Sequence, residues 1–293
     1  MNSYLKDRLF ILAQHIIPQH ALSRTAGLLA ETENPSIKQY LINTFAKNFD
    51  VNMAEALEPD LSKYKNFNAF FTRALKPNAR PIDTTPNTFV SPADGAISQL
   101  GPILGQQIFQ AKGHDYYVQD LLGGDEKLST PFINGSFATV YLSPKDYHRI
   151  HMPVDGTLKQ MIYVPGDLFS VNTTTSENVS NLFARNERVI CLFDTDHGPM
   201  AMVLVGAMIV AGIETVWAGE VAPAKRKRAV TQYDPSILNE LHLKKGEEMG
   251  RFKLGSTVIL LFGDNQVVWN ESLEEGTPVR MGESMGTAIV GNK

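Results

Sequence analysis

The chain has almost no cysteine: Cys191 is the only one in 293 residues. No intrachain disulfide can form, and no cysteine-built zinc site is available. The setting of Cys191, within Val189-Ile190-Cys191-Leu192-Phe193, predicts the core of a strand, and the cysteine usage fits a reducing cytoplasm. Neither charge sign is in large excess. Against 27 Lys and Arg stand 31 Asp and Glu, a formal net charge of −4, which argues against bulk attraction to nucleic acid. Positive charge is concentrated in Lys225-Arg226-Lys227-Arg228, a solvated loop or a contact for phosphate headgroups. Long hydrophobic runs are missing too. Residues 198–213 carry no charge, yet as a helix they would span only about 24 Å of a roughly 30 Å bilayer core. Gly206 and Gly212 divide them better into buried strands. The sequence has no internal repeat and no low-complexity tract.

What is present is a globular composition, 43% hydrophobic and 20% charged, in a chain long enough for a large core. Leu5, Leu9, Leu12 and Ile16 recur at helical spacing, with Lys6, Asp7 and Arg8 near the start and Pro18 closing the pattern. Gln14 and His15 interrupt the apolar stretch, so it reads poorly as a cleaved signal peptide. It predicts an amphipathic helix lying on a bilayer or on the chain's own core. Further helices are predicted around Ser36–Ile42 and Asn68–Leu75. Pro77, Pro81 and Pro86 then form a linker. From Phe89 onward short β-rich runs dominate, among them Phe137–Leu142 and the stretch from Gly156. The expected fold is α+β: an N-terminal helical, membrane-facing segment on a mostly antiparallel β core. Residues 1–80 form the helical segment and linker, and 81–293 the β-rich domain.

Three stretches carry candidate chemistry. In FKLGSTVILLF (252–262) an apolar run of β-formers, ended by Gly263-Asp264-Asn265, predicts a buried strand with Gly255-Ser256 at its mouth. The pair is either plain turn chemistry or a serine nucleophile beside an unhindered carbonyl. In YLSPKDYHRIHMPVDG (141–156) the order Ser143-Pro144-Lys145-Asp146 predicts a single helical turn. His148 and His151 follow, as proton carriers for one pocket, a polar-face pair, or two ligands of a metal with no third in view. In SPADGAISQLG (91–101) Asp94 precedes Gly95 in a turn. A serine, a histidine and an aspartate, each in a Gly/Pro-ordered turn beside a strand, are the parts of a nucleophile, its base and the base's orienter.

These stretches, in this order, closely resemble the short bacterial type of the phosphatidylserine decarboxylase family. FFTRALKPNARPI (70–82), VPGDLFSVN (164–172), NERV (186–189) and KGEEMGRFKLGST (245–257) match it as well, so the resemblance spans nearly the whole chain. It implies a self-processing enzyme. The Ser256 hydroxyl attacks the Gly255 carbonyl carbon, His151 oriented by Asp94 takes the proton, and the chain is cut between Gly255 and Ser256. Ser256 becomes a covalent pyruvoyl group, the cofactor. A Schiff base between that group and phosphatidylserine then leads to loss of carbon dioxide and release of phosphatidylethanolamine, with His148 as the candidate proton donor and no metal. The resemblance further implies that the two product chains stay associated, that the protein is a homodimer, and that it sits peripherally on the cytoplasmic face of the cell membrane against an anionic surface. Two other readings of the same residues are a serine hydrolase using Asp94, His151 and Ser256 without self-cleavage, and a non-catalytic membrane-docking module.

Overall fold

Local signals in the first eighty residues resolve into helices. A computed structural model describes residues 3–111, 113–208, 212–222, 231–232, 241–253 and 256–289. The Lys225–Arg228 cluster, Gly255 and the side chain of Ser256 therefore lie outside the described residues. Helix α1 runs Ser3–Ile16 and α2 Gln19–Ala30, with Pro18 between them. The Asn34 side chain accepts from the amides of Ser36 and Ile37 and so caps α3, Pro35–Asn48. Asn66 caps α4, Phe67–Phe71, in the same way. α4 is shorter than the expected Asn68–Leu75 helix, because the Thr72 hydroxyl donates back to the Asn68 carbonyl and Arg73 turns away to the Lys145 carbonyl, 3.0 Å off. α2 was not foreseen. Proline marks a boundary in sequence, and here the Pro18 carbonyl also accepts the first amides of a new helix, those of Ala21 and Leu22.

The amphipathic α1 docks with its polar side. Gln14 is buried, donating to Thr175 and accepting from the Ser170 amide at 2.8 Å. Gln19 accepts from the Leu168 amide, and a His20 ring nitrogen lies 3.0 Å from the Gly166 carbonyl oxygen. Leu5, Leu9, Leu12 and Ile16 are left outward, between 47% and 72% exposed. No helix among the described residues is long and apolar enough to cross a membrane.

The remainder is strand-rich. In chain order the strands are β1 (Thr88–Val90), β2 (Gly95–Pro102), β3 (Gln107–Ala111), β4 (His114–Tyr117), β5 (Ser136–Leu142), β6 (Arg149–His151), β7 (Gly156–Val164), β8 (Arg188–Thr195) and β9 (Gly198–Val205). They continue with β10 (Gly212–Thr215), β11 (Gly219–Ala222), β12 (Thr231–Gln232), β13 (His242–Leu243), β14 (Glu248–Lys253), β15 (Ser256–Phe262), β16 (Val267–Trp269), β17 (Pro278–Val279) and β18 (Ser284–Ala288). The largest sheet has the order β12-β7-β8-β9-β15-β5-β2-β17, and a second has the order β11-β10-β14-β6. The ladders between these strands are antiparallel. The architecture is thus α+β with antiparallel sheets and N-terminal helices.

The apolar run of β15 follows from its place. It pairs with β5 on one side and β9 on the other, and both faces are covered. Val258, Leu260 and Phe262 enter one core with Ile150, Met249 and Phe252 of the second sheet. Ile259 and Leu261 enter another with Phe132, Phe137 and Phe183. A strand buried on both faces has no reason to alternate, and each such side chain contributes roughly 1.5–3 kcal/mol by leaving water. Cys191 is a buried free thiol in β8, as its setting implied. The uncharged 198–213 stretch supplies β9 and the start of β10.

Candidate active site

Three neighbouring strands bring the three motifs to one sheet end. β2 begins at Gly95, directly after Asp94, and Ala96 pairs with Tyr141 near the end of β5. Ser256, the first residue of β15, pairs with Leu142, the last of β5. Asp94, Ser143 and Ser256 therefore sit at the same end of adjacent strands. Close approach is needed there: a Cβ on Gly95 would stand 2.3 Å from the Tyr141 carbonyl oxygen. The histidine segment is tied to the same place. The His151 amide donates to the Pro92 carbonyl at 2.8 Å, and the His148 carbonyl accepts the Phe252 amide at 3.0 Å.

Ser143–Asp146 is not the expected helical turn. The Asp146 amide donates to the Ser143 carbonyl and the Ser143 amide donates to the Asp146 carboxylate at 2.7 Å. This reciprocal pair closes a tight turn, after which β6 draws the chain straight, so no helix propagates.

Asp94 is held by a guanidinium. Arg80 Nε donates to both carboxylate oxygens at 2.8 and 3.0 Å, and Nη2 donates to Oδ2 at 2.5 Å and to Glu55 at 2.8 Å. The Met281 amide adds a third donor to Asp94, at 2.9 Å. Arg80 is held still more firmly in its charged form than usual by these carboxylates. The partners of His151 are different. Its Nδ1 lies 2.8 Å from the Gly246 carbonyl oxygen and its Nε2 lies 3.0 Å from the Tyr147 hydroxyl. A carbonyl can only accept, so Nδ1 carries the proton and Nε2 is the basic nitrogen, receiving the phenol's hydrogen. Gly246 has φ +83, and a Cβ there would meet Ile82 at 2.9 Å, so the turn that delivers this carbonyl requires glycine. Burial holds the His151 imidazole below its usual pKa, with the Gly246 carbonyl opposing.

His148 is wholly buried, its ring 4.0 Å from that of Phe71. Its Nδ1–H donates to the Asp146 carbonyl at 2.9 Å, and Nε2 has no hydrogen-bond partner among the described residues. Burial pushes its pKa down to about 3. At neutral pH this is an uncharged imidazole with a free lone pair in a dry setting.

Asp94, Arg80 and Tyr147 border a cleft of about 510 Å³, which Gly95, Tyr141, Ser143, Asp146 and Arg73 also wall. Burial raises the Asp146 carboxyl, and the charge of Asp94 adds to that shift. A second cleft, about 310 Å³, lies between α2 and Glu187 with Lys253 in its wall. Among the described residues no group of three or more His, Cys, Asp or Glu side chains gathers as a metal site. Arg80, Glu55, Tyr147 and Gly246 were not singled out as site residues from sequence. All but Glu55 stand inside stretches quoted above, but no local pattern marks a long-range partner.

A buried imidazole locked in one tautomer, a carboxylate clamped by arginine and a serine opening a central strand lie towards one sheet end of a β-rich fold. Its serine follows a strand from a second sheet, not a strand-to-helix elbow. The chain belongs to the phosphatidylserine decarboxylase family: the family's model matches residues 67–287, and a second model, described as PSD, matches residues 9–50. It is 61% identical over 285 residues to a phosphatidylserine decarboxylase proenzyme of Pseudomonas putida, covering 97% of this chain and 99% of that one. A proenzyme of the same name from Stutzerimonas stutzeri is 60% identical over 286 residues, 98% of this chain and 96% of the other. One from Pseudomonas fluorescens is 59% identical over 285 residues.

Proposed function

We propose that this protein is a self-processing decarboxylase that cuts itself between Gly255 and Ser256 and converts phosphatidylserine to phosphatidylethanolamine and carbon dioxide at a membrane surface. The observation that carries this is the convergence of Asp94, His148, His151 and the start of β15 on one sheet end, in a chain of this family. In the precursor His151 Nε2 is the base for the Ser256 hydroxyl. Asp94 orients the base at one remove: clamped by Arg80 and the Met281 amide, it fixes the loop whose Pro92 carbonyl receives the His151 amide.

A pyruvoyl group at position 256 supplies the electron sink that loss of carbon dioxide from an amino acid requires. The buried Nε2 of His148, without a hydrogen-bond partner among the described residues, fits a site that must handle a proton away from water. Neutral at rest, His148 is the candidate donor to the carbon that loses carbon dioxide, its Nε2 taking up that proton only in the course of the reaction. The substrate keeps its acyl chains in the bilayer, and the outward leucines of α1 hold residues 1–80 at that surface on the cytoplasmic face. Residues 81–293 form the catalytic domain.

Intact mass of the purified chain tests the proposal. The expected products are residues 1–255 and a pyruvoyl-led 256–293, with carbon dioxide released from phosphatidylserine vesicles. Ser256→Ala should remain one chain of 32.4 kDa and release none. A wild-type protein that stays whole, or a Ser256→Ala chain that still splits at this bond, would overturn it.

A further inference from the structure

Both ring nitrogens of His151 are engaged. Gly246 accepts from Nδ1, so the only basic position is Nε2, and the Tyr147 hydroxyl already occupies it at 3.0 Å. His151 is 8% exposed and Tyr147 6%. Tyr147 borders the 510 Å³ cleft together with Asp94, Tyr141 and Ser143, whereas His151 is not among the residues walling it. A proton travelling from the cleft to the base has the phenol in its way.

We propose that Tyr147 relays the proton from the Ser256 hydroxyl to His151 during self-cleavage. This inference rests on the self-cleavage proposed above. As Ser256 Oγ bonds to the Gly255 carbonyl carbon, its proton passes to the Tyr147 oxygen and the phenol's own proton passes to His151 Nε2. The imidazolium returns a proton by the same route to the Ser256 nitrogen as the carbon–nitrogen bond breaks, leaving an ester, a neutral phenol and a neutral imidazole. Burial pushes the phenol up to about 12, so it exchanges protons without ionising. Glu248, Arg149, Asp94 and Arg251 stand around the pair, and substitution at Tyr147 leaves all four charges in place.

The test is self-cleavage of full-length chain made by cell-free translation, followed by intact mass across pH, for wild type, Tyr147→Phe and Ser256→Ala. Tyr147→Phe should lower the maximal rate about 10² to 10⁴-fold, the usual worth of a positioned proton carrier. Its half-maximal pH should also move upward, because the donated hydrogen bond that favours neutral Nε2 is gone. A full rate, or a slowed rate with an unmoved half-maximal pH, would overturn the relay; the second result would mark Tyr147 as structural. Should Tyr147→Phe not fold, 3-fluorotyrosine at position 147 keeps ring and hydroxyl while changing acidity, and an unchanged cleavage rate would refute the relay. Splitting of Ser256→Ala at the same bond would instead refute the underlying self-cleavage reading.

Discussion

Replacing His148 with glutamine in the uncleavable Ser256→Ala chain should make the protein less sensitive to acid. In the unfolded chain an imidazole takes up a proton near pH 6.5, whereas burial holds folded His148 at about 3. Between those values the unfolded state binds more protons, so stability falls as pH falls. The contribution is intact above pH 6.5 and is lost progressively towards pH 3. At pH 5 the linkage relation gives a loss of about 2 kcal/mol from this one side chain, an upper figure because a buried site relaxes on protonation. With a urea slope of roughly 1–3 kcal/mol/M that is a midpoint shift of about 0.7–2 M. Urea unfolding at pH 7 and pH 5 measures it, and the readout is the difference in acid sensitivity between the two chains, not either absolute stability. His151, also lowered by burial, contributes with the same sign in both and cancels. Equal losses between pH 7 and 5 would refute the claim that His148 is buried uncharged.

Arg80→Ala in the same background should cost about 3–5 kcal/mol in urea unfolding, because it strands the buried Asp94 carboxylate with only the Met281 amide; Arg80→Lys should recover only part, lacking the two-pronged geometry. A loss under about 1 kcal/mol for the alanine change would show that the clamp is not structural. Leu9→Glu with Leu12→Glu should reduce sedimentation with anionic vesicles at least 10-fold while leaving self-cleavage intact, since each leucine buried in lipid is worth at most roughly 1.5–3 kcal/mol and both are about half exposed in the protein. Undiminished vesicle binding would assign this face to another role.

The β15 strand was legible because its signal is local: seven residues of β-formers closed by a turn. The amphipathic α1 was legible for the same reason, though not that Gln14 would be on its docking side, since polar residues normally face water. That the segments of Asp94, His151 and Ser256 lie towards one sheet end depends on β2, β5 and β15 becoming neighbours, β5 and β15 across more than a hundred residues, and only resemblance to a family reached it. Partner choice was the least legible. Asp94 goes to Arg80, and His151 to Gly246 and Tyr147, pairings set by packing between elements, with no trace in either residue's own neighbourhood.

Only Leu254 and Gly255 separate β14, in one sheet, from β15, at the centre of the other. Beyond the crossing, β17 joins β2 in the large sheet and β18 pairs with β1. The proposed cut at this crossing would release no lobe, since the short product is laced through the body of the long one. It does alter the molecularity of folding. The precursor folds as one molecule at a rate indifferent to dilution, whereas the cut protein, once unfolded, must find its partner again, with an apparent stability that depends on concentration. Folding must therefore precede cleavage, and for a chain that lives at high dilution the mature form is one that can be reached but not remade.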